Sequence, residues 1–119
     1  MTMLDPSRGY LVLINTFTVE PERAEELVAA LSRATEHGMR QRPGFVSANL
    51  HISADKRHVA NYAQWRSQED LDTMMKDPKA QEHMREIAVI ATSFQPIYYT
   101  LQENPRAREL TVISGAGLF

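Results

Sequence analysis

The 119-residue chain contains no cysteine, which excludes disulfides, thiolate nucleophiles and cysteine-held iron–sulfur clusters. Its five glycines are scattered, so no glycine-rich loop is present to cradle a nucleotide or dinucleotide phosphate. No Lys/Arg run exceeds two residues and the formal net charge is -2, a balance that argues against nucleic acid or an anionic membrane as partner. The apolar run Tyr10–Ile14 is far too short to span a bilayer, and the stretch before it, with Asp5, Pro6 and Ser7, has no signal-peptide core. A cytoplasmic protein is expected. None of the four histidines, His37, His51, His58 and His83, sits with another histidine or a carboxylate at ligand spacing on one element, so no preformed metal site is expected. No nucleophile-elbow motif announces a Ser-His-Asp triad.

What is present is enough for one domain, with a core over about residues 9–103 and a tail over 104–119. Residues 10–20 read as a strand apolar on both faces, with Asn15 the polar exception in the row Leu11, Leu13, Asn15, Phe17, Val19. Pro21 and the acidic residues around it open a helix to about His37, carrying Ala24, Leu27, Val28, Leu31 and Ala34 on one stripe. Pro43-Gly44 turns the chain into a second strand, Phe45–Ser53, and residues 54–57 join it to a third, His58–Trp65, as a hairpin. Ser67 and Asp70 form a capping-box-like start for a short helix, and Asp77-Pro78 starts another to about Thr92. A fourth strand runs from Phe94 to Gln102, and Leu110–Ile113 is strand-like. The order is β-α-β-β-α-β, a ferredoxin-like split β-α-β antiparallel α+β sheet with helices on one face. The other face then needs a cover, and a homodimer supplies it.

The third strand organises the chain. Period two places Val59, Asn61, Ala63 and the chain's single tryptophan, Trp65, on one face. The amide and the indole stand roughly 13 Å apart with small Ala63 between them, leaving room for a flat, polar-edged ligand. The plain structural alternative is that Trp65 anchors the core, Asn61 caps a bend and Asn15 is satisfied by backbone.

The segment Pro43-Gly44-Phe45, with Asn61-Tyr-Ala-Gln-Trp65 and Ser67, resembles the antibiotic biosynthesis monooxygenase family. It looks most like the branch that oxidises anthrones to quinones in aromatic polyketide pathways. The resemblance implies a dimeric α/β-barrel that works on a small aromatic substrate and dioxygen, without metal, flavin or haem. It implies catalytic roles for Asn61 and Trp65, with His51 as candidate base, and substrate contacts from Asn15, Ala63 and Arg85. The tyrosine that some members carry on the helix after the tryptophan is here Leu71. Two alternatives stand beside this reading. One is the haem-degrading branch of the same fold, which Asn15 and His83 fit but Met74, at its tryptophan position, does not. The other is a non-catalytic binding protein or an isomerase on the same scaffold.

The resemblance makes a register demand. For His51 to join Asn61 and Trp65, the hairpin must pair odd positions with odd. The apolar pattern instead prefers Val46, Ala48, Leu50 and Ile52 on the Trp65 face, and a one-residue slip reverses every side chain.

Overall fold

β1 (Leu11–Thr18) is a central strand, paired antiparallel with β3 (His58–Trp65) on one side and with β4 (Ser93–Thr100) on the other. β2 (Phe45–Ile52) completes a four-stranded sheet in the order β2-β3-β1-β4. This computed structural model describes residues 8–103 and Pro105. The strand-like expectation for Leu110–Ile113 falls outside the described residues.

Three helices accompany the sheet: α1 (Ala24–His37), α2 (Gln68–Met75) and α3 (Pro78–Ile90). The expected helix start at Pro21 is a 3-10 turn, Pro21–Arg23, that feeds α1. Ser67 caps α2: its Oγ accepts from the Asp70 N–H at 3.1 Å and donates to the Asp70 carboxylate at 3.1 Å. Asp77 caps α3 by accepting from the Lys79 N–H at 3.1 Å, with Pro78 in the first turn, where its missing donor costs nothing. Between α1 and β2 a second 3-10 turn, Met39–Gln41, leads to Gly44, which takes φ +86°. A Cβ at Gly44 would collide with the Asp70 carboxylate, so only glycine lets the start of α2 close over this turn.

The hairpin between β2 and β3 is held by its own polar groups. The Asp55 carboxylate accepts from the Ser53 hydroxyl at 2.7 Å and the Arg57 N–H at 2.9 Å. These two bonds, the hydroxyl first, hold its pKa below the ordinary aspartate range.

All helices lie on the face of the sheet that carries Phe17, Val59 and Trp65. The core there divides into two clusters. One joins Phe17, Val19 and Val59 to Leu27, Leu31 and Ala34 of α1 and Ile87 and Ile90 of α3. The other joins Ala63 and Trp65 to Leu71 and Met74 of α2. The result is an α+β, ferredoxin-like fold. On the outer face Val12 and Gln64 are buried, whereas β4 is exposed along its length, with Ile97 and Tyr99 open to solvent on the outer face and Phe94 and Tyr98 on the helix-bearing one. Among the described residues no helix is long and apolar enough to cross a membrane.

The β2–β3 register combines both sequence expectations through a β-bulge. Phe45 pairs with Trp65, but Ser47 pairs with Gln64, so Val46 is an extra residue. Phe45 therefore packs edge-on against Trp65, with ring centroids 5.5 Å apart and planes at 84°. Beyond the bulge the parity reverses, and Ala48 and Leu50 stand opposite Ala63 and Asn61. His51 pairs with Ala60, exposed on the outer face. The expectation that His51 shares the face of Asn61 and Trp65 is overturned, because the bulge shifts β2 by one residue and a one-residue shift turns its side chain over.

Candidate active site

The register of β1 on β3 sets the polar centre. Asn15 stands directly opposite Asn61, flanked on one side by the pair Phe17 and Val59 and on the other by Leu13 and Ala63, then Leu11 and Trp65. The asparagine pair therefore lies between the two apolar clusters, each of which claims the cross-strand pair on its own side. Asn61 is 7% exposed. The Oδ1 atoms of both asparagines are sealed from solvent and accept no hydrogen bond among the described residues. Leaving a buried acceptor unmatched costs about 1–3 kcal/mol, so two side by side are a deliberate local expense. Each amide carries an acceptor oxygen and a two-proton donor that a half-turn about Cβ–Cγ exchanges. The pair can thus accept from a phenol or donate to an oxyanion. The structural alternative for Asn15, satisfaction by backbone, does not account for its oxygen.

Trp65 is 1% exposed and fills the second cluster against Phe45, Leu71 and Met74. Ala63 is packed in the same cluster and does not line an open hollow, which corrects the expectation that its small side chain leaves one. The space lies one layer higher. A cavity of about 300 Å³ opens between the end of α1, the Met39–Gln41 turn and the start of α3. Its apolar lining is Ala34, Met39, Met74 and Ala80; its polar lining includes His37, Arg42, Asp77, Lys79 and His83. Asn15, Asn61, Ala63 and Trp65 do not line it. Met39 connects the two places, because it borders the cavity and packs against both clusters. At the rim, Arg42 Nη1 and Asp77 Oδ2 form a half-buried ion pair at 2.9 Å. The same Asp77 caps α3, so one carboxylate fixes both the helix and the cavity wall.

Arg85 is exposed on α3 and does not border the cavity. Sequence reasoning missed Met39, Arg42 and His37 as cavity residues. His37 reads from its helix-end position as a solvated residue, and nothing local signals that the following turn folds back towards α3. Among the described residues no group of three or more His, Asp or Glu side chains is placed to hold a metal ion.

Comparison with known proteins agrees with this fold. The family model for antibiotic biosynthesis monooxygenases matches residues 10–86. Tetracenomycin-F1 monooxygenase of Streptomyces glaucescens is 46% identical over 83 residues, which span 70% of this chain and 74% of the relative. The crystal structure of a monooxygenase from the gene ActVA-Orf6 of Streptomyces coelicolor, in complex with nanaomycin D, superposes with a TM-score of 0.79 at 28% identity, covering 87% of this chain and 96% of that one. SnoaB, a cofactor-independent oxygenase from Streptomyces nogalater, shares the fold with a TM-score of 0.74 at 19% identity, covering 83% of this chain and 99% of that one. The chain belongs to the antibiotic biosynthesis monooxygenase family.

Proposed function

We propose that this protein is a cofactor-independent monooxygenase that oxidises an anthrone-type aromatic polyketide to its quinone with dioxygen. The observation that carries the reading is the pair of buried, opposed amides of Asn15 and Asn61, whose oxygens are unmatched among the described residues, in a chain 46% identical to a monooxygenase of tetracenomycin F1.

The chemistry needs only what these residues supply. Deprotonating an anthrone gives an extended, electron-rich anion that reduces dioxygen itself. The protein lowers the barrier by stabilising that anion and excluding water. Asn61 and Asn15 turn their amide N–H groups to the oxyanion. Trp65 holds the wall behind them, and the substrate enters through the cavity beneath α3, past the flexible Met39. The active protein is a cytoplasmic homodimer in which the exposed outer row of β4, Ile97 and Tyr99, is covered by the partner.

Oxygen uptake tests this reading. EDTA-treated, colourless protein mixed with 1,8-dihydroxyanthrone in air should consume one dioxygen per quinone formed, well above the buffer rate. No acceleration over buffer with any anthrone tried would end the proposal.

A further inference from the structure

Deprotonation needs a base. His51 and His58 lie outside the cavity, on the outer face of the sheet, whereas His37 and His83 both line the cavity. His37 is exposed on the last turn of α1, and His83 is half-buried on α3. The ring of His83 lies against the C-terminal end of α1: its Nε2 and Cδ2 are each 3.8 Å from the point a Cβ on Gly38 would occupy. The Ala34 carbonyl oxygen is 3.0 Å from that same point, so a glycine there keeps the space between the helix end and the imidazole open. A helix C-terminus carries partial negative charge and favours a cation beside it.

We infer that His83 is the catalytic base of this oxidation, a role that rests on the oxygenase reading above. Its neutral imidazole takes one proton from the CH₂ carbon of the anthrone, and the electron pair of that C–H bond enters the ring system. The resulting anion passes one electron to dioxygen, and the radical and superoxide combine to form a C–O bond. The peroxide's terminal oxygen takes the proton back from the imidazolium. The remaining C–H bond then breaks as the O–O bond cleaves, and its proton leaves with the departing hydroxide as water. One oxygen atom ends in the new carbonyl and the other in water, so the anthrone's four electrons account for the full reduction of dioxygen. The charged or titratable groups that line the cavity with His83 are His37 from α1, Arg42 just after the Met39–Gln41 turn, Asp77 at the cap of α3 and Lys79 on α3 itself. Of these Asp77 is already paired with Arg42.

The test is the pH profile of kcat for 1,8-dihydroxyanthrone oxidation by the full chain, above the buffer rate, in wild type, His83→Gln, His83→Ala, His37→Gln and Asn61→Leu. Wild type should lose activity as acid protonates one group. His83→Gln should fall by about 10²–10³ and lose that acid limb, since a positioned base typically contributes about 10²–10⁴. Added imidazole should restore part of the rate to His83→Ala, an effect a purely structural role would not produce. An acid limb retained in His83→Gln, or lost instead in His37→Gln, would overturn the assignment. If His83→Gln is as active as wild type while Asn61→Leu is impaired, only the base assignment falls. If wild type itself shows no turnover, the oxygenase reading falls and takes this inference with it.

Discussion

Asn15 and Asn61 face each other across the β1–β3 ladder with both Oδ1 atoms buried and, among the described residues, unmatched. The register leaves them nowhere else to be: Phe17 and Val59 close one side, and Leu13 and Ala63 the other. A protein selected for stability alone would place apolar side chains there and join its two core clusters into one. The separation therefore points to a ligand.

His51 provides the first prediction. The Val46 bulge leaves it exposed on the outer face, so His51→Ala should change turnover by less than about twofold. A loss of a hundredfold, measured as initial oxygen uptake, would restore it to the site and contradict the register argument.

Gly44 provides the second. Its φ of +86° and the Asp70 carboxylate packed over it both exclude a side chain. Gly44→Ala should lower stability by about 2 kcal/mol or more, from strain of about 1–3 kcal/mol plus the collision. Urea titration followed by tryptophan fluorescence measures this, since Trp65 reports on the adjoining cluster. An unchanged midpoint would show that the turn is held differently.

Asp77 separates a cap from an ion pair. Asp77→Asn keeps an oxygen for the Lys79 N–H but gives up the charge facing Arg42, and should cost less than about 1 kcal/mol. Asp77→Ala removes both and should cost about 1–2 kcal/mol more. Thermal melts of the two variants side by side decide it, and equal losses would mean the cap contributes nothing.

The exposed β4 row predicts the assembly. Light scattering at micromolar concentration should give twice the chain mass of 13.5 kDa, and Ile97→Lys should shift it towards the monomer. A wild-type monomer would show that β4 is simply an exposed edge.

The architecture was readable from the sequence because each element carried its own signal. Alternation marked the strands, and Ser67 and Asp77 marked the helix starts. Asn15 and Asn61 were also legible, as polar residues interrupting apolar rows. The placement of His51 was not, because a bulge leaves no mark in a run such as Phe-Val-Ser-Ala-Asn: both parities remain apolar enough. Nor was the cavity, which depends on how the Met39–Gln41 turn and α3 meet over distances that no local spacing encodes. Trp65 shows the remaining ambiguity, since one buried indole satisfies both the core-anchor reading and the site reading.

The most direct measurement compares stability and turnover in Asn61→Leu. Leucine has the same branching and heavy-atom count as asparagine and lacks the unmatched oxygen, so the variant should be as stable as wild type or more stable by about 1–3 kcal/mol. Its oxidation of 1,8-dihydroxyanthrone should fall by about 10²–10³, the usual cost of losing one oxyanion donor. Opposite movement of the two quantities is what the account predicts. A variant that keeps wild-type turnover, or that unfolds because the amide was structural, would contradict it.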